Sequence, residues 1–223
     1  MKKKLFIVYV LISFIYQANA QSKYSLGLMA SPDLTYINAS FSKGTHGATY
    51  STQPGYTFGL SIYKKSTKHF FITSGMWYIN KGTVQYSNFI FSDSNNVSEL
   101  MVSGKTIHSY KDLDIPILFN YTLGKRKLKF VCSAGFVFGF SIEEKLISTA
   151  AQYYDVTYIH NTPKRPARIN LNFSFGATYK LNETFTLIFE PNYKIDVRAI
   201  VNPIMDDSHS YGLRTTLIYK FKQ

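Results

Sequence analysis

The chain has 223 residues, a formal net charge of +12, one cysteine, 18 tyrosines and 18 phenylalanines. That length suits one domain, and a lone cysteine excludes both an intramolecular disulfide and a cysteine-based zinc cluster. The basic balance comes with no nucleic-acid motif, so no nucleic-acid partner is expected.

In chain order, the first element reads as a secretory signal over residues 1–20. Lys2, Lys3 and Lys4 form its basic start. An apolar run from Leu5 to Tyr16 follows, and Ala18-Asn19-Ala20 supplies the small-residue cleavage site. The mature domain is expected over 21–223. After Tyr16 no stretch approaches the roughly 18 apolar residues of a membrane-spanning helix.

Eight candidate strands follow. The first covers 24–38, with Tyr24, Leu26, Leu28 and Ala30 on one face; Pro32 and Asp33 are expected to disturb its second half. The second, 55–64, sets Tyr56, Phe58, Leu60 and Ile62 against Thr57, Gly59 and Ser61. The third, 69–82, is ambiguous in facing. Placing Phe70, Ile72, Met76 and Tyr78 outward leaves Thr73, Gly75 and Lys81 inside. The fourth, 107–123, puts Leu113, Ile115, Ile117, Phe119 and Tyr121 out, and Asp112, Asp114, Pro116 and Asn120 in.

The fifth, 128–141, alternates most cleanly. Leu128, Phe130, Cys132, Ala134, Phe136, Phe138 and Phe140 share one face; smaller or more polar residues share the other. A period of two held this long is strand periodicity at more than twice the usual strand length of about 5–6 residues. The sixth, 168–180, opposes Ile169, Leu171, Phe173 and Phe175 to Asn170, Asn172 and Ser174. The seventh, 184–195, carries Phe185, Leu187, Phe189 and Tyr193 out, Glu190 and Asn192 in, and Pro191 in an outward slot. The eighth, 209–222, has Tyr211, Leu213, Leu217, Tyr219 and Phe221 out, and Gly212, Arg214, Thr216 and Lys220 in.

The connections alternate. Those at 65–68, 124–126 and 181–183 are tight, whereas 39–54, 83–106, 143–167 and 196–208 are long. Outer-membrane barrels sort loop length by parity in this way, with short periplasmic turns and longer external loops. The larger, apolar side chains then face lipid, and the aromatic surplus supplies interfacial girdles. The expected fold is all-β: an eight-stranded antiparallel up-and-down transmembrane barrel in a bacterial outer membrane. Its termini are expected to be periplasmic and its long loops extracellular. A barrel of eight strands has a lumen that side chains fill.

The same alternation places Asp112, Asp114, Glu190, Lys194 and Arg214 inside. Unpaired charges in a narrow lumen are costly, so they are expected to form a structural ion-pair network. Lys129, Lys180 and Lys220 also point inward, near the short-turn end, and are expected to reach water. Lys164, Arg165 and Arg168 cluster beside Pro163 and Pro166. At an outer rim they are candidate contacts for lipopolysaccharide phosphates.

His46, His108, His160 and His209 each lie in or near a long loop, without metal-ligand spacing, so no metal and no cofactor is expected. Asp206 to Ser210 contains the residue types of a hydrolytic triad. Adjacent residues on an extended chain point to opposite sides, which argues against one. Cys132 sits on an apolar face, a poor setting for a reactive thiol.

Several short segments resemble the PorT-like outer-membrane barrels of Bacteroidetes. They are Leu113-Asp114-Ile115-Pro116-Ile117-Leu118 ahead of Tyr121, Gly75-Met76-Trp77-Tyr78 with Lys81-Gly82, Ala134-Gly135, Glu190-Pro191-Asn192-Tyr193, and the closing run from Gly212-Leu213 to Tyr219-Lys220-Phe221. The resemblance implies an eight-stranded barrel inserted by the barrel-assembly machinery. The group's founding member is associated with protein secretion, but no residue here carries that role over. Lys222 and Gln223 after Phe221 depart from a chain end on the aromatic residue itself. Three functions follow as expectations: a non-catalytic structural or loop-mediated binding role, a lipid-modifying hydrolase, or an accessory component of a secretion or uptake complex.

Overall fold

The computed structural model describes residues 24–38, 49–92, 99–124, 126–150, 157–161, 167–197 and 207–221. They are almost entirely strand: β1 Tyr24–Asn38, β2 Thr49–Lys65, β3 Phe70–Ser92, β4 Glu99–Leu123, β5 Leu128–Ala150, β6 Thr157–Asn161, β7 Arg168–Lys180, β8 Phe185–Asp196 and β9 Asp207–Lys220. Every pairing is antiparallel; most join chain neighbours, β5 also pairs β7, β1 pairs β9, and β4 pairs β5. Eight strands therefore close on themselves. The short β6 stands outside the closure and pairs with Lys145 to Thr149 of β5. No helix among the described residues is long and apolar enough to cross a membrane.

Closure removes every sheet edge from the barrel wall, which a membrane demands because lipid offers no partner to a free N–H or C=O. The outward row is apolar. Leu28, Phe58, Leu60, Met76, Phe119, Phe136, Phe173, Phe175 and Phe189 are all exposed. Tyrosines bracket this band, with Tyr121, Tyr179 and Tyr219 at the short-turn end and Tyr56 and Tyr211 at the other. Tyr211 and Tyr219 are eight residues apart on β9, about 20 Å along the axis at ordinary strand rise and tilt.

The facing chosen for the third strand is the one observed. Met76 is exposed, and Trp77, Ile79 and Lys81 are buried in the lumen. The expected disturbance at Pro32 and Asp33 is smaller than anticipated. Pairing with β9 lapses at Ser31 and Pro32, and the register is unchanged on both sides of the gap. Pro191 acts likewise. The β7–β8 ladder lapses between Ala177↔Phe189 and Ser174↔Asn192 without a shift. Each proline lacks an N–H to donate and costs a local ladder bond, not a bulge.

Bulges occur instead between Thr52 and Tyr56 on β2, and opposite Lys111 and Asp112 on β5. At the second, Ile142 is the extra residue. Without it Glu143 would fall on the inward row. With it Glu143 lies beside Lys111, with an oxygen 2.9 Å from the lysine nitrogen.

The segments expected as loops at 83–106 and 143–167 are largely strand. β3 and β4 remain paired out to Ser92↔Glu99, and β4 pairs β5 out to Gly104↔Ala150. These stretches lie past the tyrosine band. Their ladder satisfies the backbone whatever the side chains do, so strand continues where the apolar alternation stops.

Two of the three tight turns are closed by side-chain acceptors. Asn182 Oδ1 accepts from the backbone N–H groups of Thr184 and Phe185 at 2.9 and 2.7 Å. Thr67 Oγ1 accepts from the Phe70 N–H at 3.1 Å. In the third turn, Gly124 has φ +120°, a conformation that favours glycine. These turns and both described ends of the chain, Tyr24 and Phe221, share one end of the barrel.

Candidate functional site

The barrel encloses a lumen, and the described residues fill it in layers. Nearest the tight turns lies an apolar floor of Tyr63, Val131, Ile188 and Ile218, with Phe71 packed against it. Each belongs to an inward row, so the floor follows from strand parity.

Above the floor lies a polar layer centred on Glu190. Its carboxylate accepts from Ser133 Oγ at 2.8 Å, Ser174 Oγ at 3.0 Å, and Arg214 through Nε at 3.1 Å and Nη2 at 2.9 Å. Arg214 Nη2 also donates to Ser174 Oγ at 2.7 Å. Ser133 Oγ lies 2.6 Å from Asn120 Oδ1, and Asn120 Nδ2 donates to Thr73 Oγ1 at 2.9 Å. Met29, Trp77, Leu118 and Val137 form an apolar cluster alongside. The Trp77 indole N–H donates to Ser61 Oγ at 2.9 Å, and the Arg214 guanidinium sits 5.4 Å from the indole ring. Asp33 accepts from the hydroxyls of Ser31 and Thr57.

Toward the other end, Asp112 is fully buried between Arg168 and Lys81, whose nitrogen is 3.2 Å from the carboxylate. Asp114 faces Lys194 at 4.0 Å. Glycines make room for these acids. A Cβ on Gly139 would lie 2.8 Å from Asp114 Oδ1, and one on Gly212 would strike Asp33. Between these layers lie small gaps, one lined by Lys81, Asp114, Asn170, Lys194 and Ser210, another lying among Asp33, Trp77 and Arg214. Each has a cavity volume of about 10 Å³, room for about one water molecule.

The five acids and bases expected in the lumen are all buried there. The structure joins Glu190 to Arg214 and Asp114 to Lys194. It gives Asp112 to two other cations, Lys81 and Arg168. Arg168 corrects the expectation of a rim contact with lipopolysaccharide. It is 3% exposed and opens the inward row that Asn170 and Asn172 continue. Its closeness in sequence to Lys164 and Arg165 concealed that parity. Lys164 and Arg165 lie outside the described residues, as do the expected signal segment, His46 and Asp206.

His209 and Ser210 diverge. The imidazole stacks on Tyr193 with ring centroids 5.8 Å apart, and Ser210 is buried on the lumen side. His108, expected beside a loop, is buried and stacked on Tyr110. Cys132 is exposed on the apolar outer face. Among the described residues no group of three or more His, Cys, Asp or Glu side chains is arranged to hold a metal ion.

Residues 13–195 match the family described as the outer membrane protein beta-barrel domain. The chain belongs to that family. As an outer membrane protein beta-barrel domain it resides in the bacterial outer membrane, with its exposed apolar row toward lipid. No curated protein matches the chain. Solved structures similar to this barrel include the Neisserial surface protein A, at 10% identity and a TM-score of 0.47, covering 88% of this chain and 97% of that one. OprG from Pseudomonas aeruginosa matches at 10% identity and 0.42, covering 90% and 98%. The outer membrane protease OmpT from Escherichia coli matches at 8% and 0.38, covering 89% and 95%. Likenesses this remote assign no activity to this barrel.

Proposed function

We propose that this outer-membrane barrel is a non-catalytic anchor whose working surface lies beyond the membrane, on the end opposite the tight turns. The observation that carries this reading is the sealed lumen. Its buried lysines and arginines each face a carboxylate, and the gaps beside them hold about a water each, so the interior serves as structural fill and not as a route or a pocket. What the fold then offers a partner is the wall built by the outer parts of β3, β4 and β5 with β6, together with the connections around it.

In this reading residues 1–20 direct export, and the barrel-assembly machinery inserts the domain. The tight turns and both termini face the periplasm, and the wall faces outward. Lys164 and Arg165 meet lipopolysaccharide phosphates. The role is structural, or one of binding and assembly within a protein complex, in keeping with the resemblance to PorT-like barrels.

Two experiments test it. The full chain, extracted from its own membrane in mild detergent, is expected to bring a protein partner that is lost when 93–98 are replaced by a short Gly-Ser linker. A chain that always elutes alone counts against an assembly role. Refolded with phospholipid and lipid A, it is expected to leave both intact. Lipid turnover abolished by His209→Ala would overturn the non-catalytic reading.

A further inference from the structure

Each buried lysine and arginine among the described residues faces a buried carboxylate, but the lysines at the tight-turn end do not. There Lys65, Lys129, Lys180 and Lys220 stand on the inward rows. Three of them lie two residues beyond a floor residue on the same row: Lys65 beyond Tyr63, Lys129 before Val131, and Lys220 beyond Ile218. Register completes the ring, since Lys129 pairs across from Thr178, two residues before Lys180 on the inward row of β7. Lys65, Lys129 and Lys180 all act electrostatically on Lys220.

Among the described residues the one carboxylate at this end is Glu183. It is on a turn, 91% exposed, and 3.8 Å from Lys180. By contrast Lys81, Arg168, Lys194 and Arg214 each face a buried carboxylate. A fold that gives each deep cation a carboxylate leaves these four lysines on the inward rows around an apolar floor.

Like charges around one mouth repel, and a multivalent anion relieves that repulsion at several groups at once. Ammonium groups are compact point charges with three rotatable donors each, which suits phosphate oxygens approached from several sides. The apolar floor prevents the anion from passing on into the lumen and lowers the local dielectric behind it.

We infer that the lysine ring of Lys65, Lys129, Lys180 and Lys220 at the tight-turn mouth is a binding site for a multivalent phosphate group. The phosphate comes from a soluble phosphate compound or from a lipid headgroup reaching the mouth. This site is separate from the surface proposed above and does not depend on it.

Calorimetric titration of the full-length refolded protein in neutral maltoside micelles, at low ionic strength, tests the site with inorganic pyrophosphate. One ion is expected to bind per barrel, with an affinity that falls as salt rises. Lys129→Gln with Lys220→Gln is expected to weaken it by about tenfold or more. Arg126→Gln with Lys127→Gln makes the same charge change on a turn tip and is expected to leave it within about twofold. Folding of each variant is checked by its heat-modifiable migration on gels. Should the double variant fail to fold, Lys220→Gln alone carries the comparison.

Native mass spectrometry from phosphatidylglycerol bilayers separates the sources. Retained lipid that the ring variant loses identifies a headgroup. Pyrophosphate binding without lipid retention identifies a soluble phosphate. No pyrophosphate binding by the wild-type protein, or equal weakening by the turn-tip pair, overturns the inference.

Discussion

Glu190 holds together more of the lumen than its single charge suggests, because two serines and an arginine from three other strands converge on it. Glu190→Ala strands Arg214 in a buried site and is expected to cost about 3–5 kcal/mol in equilibrium unfolding. Replacing both partners with apolar residues, Glu190→Leu with Arg214→Met, is expected to cost clearly less. An additive double variant would mean the two do not act as a pair. Phe136 tests the opposite face. It is 46% exposed on the lipid row, and Phe136→Arg is expected to cost about 2–4 kcal/mol in a lipid bilayer. Full tolerance would mean that this row does not meet lipid. At this scale parity was legible from sequence, since a period of two placed Asp112, Asp114 and Glu190 inside. Partner choice was not. Whether Asp112 meets Lys194 or Lys81 depends on strand stagger around the closed barrel, which no single strand encodes. Arg168 belongs to the inward row of β7, although along the chain it clusters with Lys164 and Arg165.

The strands behave as two kinds of element joined end to end. Within the tyrosine band each must present lipid-compatible and lumen-compatible faces in strict alternation, so β5 and β7 are plain in the sequence. Past the band water touches the sheet, and alternation is no longer enforced. That is why β3 beyond Gly82, β5 beyond Ser141 and β6 read as loops. The run Asn88-Phe89-Ile90-Phe91 has no period of two, yet it pairs with residues 100–103. The tight turns were legible because their short length leaves few ways to join adjacent strands. Asn182 caps the turn between β7 and β8, and Asn182→Ala is expected to cost about 1 kcal/mol by thermal or urea unfolding. No change would mean that the two backbone donors find water equally well.

As a whole the molecule is a cylinder with lipid on one side of its wall and its own packed charges on the other. Closure, the tyrosine-bounded apolar row and the filled lumen are three independent consequences of one alternating sequence. The chain's single tryptophan reports on all three, because Trp77 is 2% exposed and lies against Leu118, Val137 and Arg214 inside the barrel. The deciding measurement is therefore fluorescence quenching of the protein refolded into bilayers, with bromine-labelled acyl chains on one side of the wall and aqueous acrylamide on the other. Trp77 is expected to be shielded from both. The variant carrying Trp77→Phe with Phe136→Trp is expected to be quenched strongly by the brominated lipid. Free access of acrylamide to Trp77 would contradict the sealed lumen, and quenching of Trp77 by brominated lipid would contradict the barrel's facing itself.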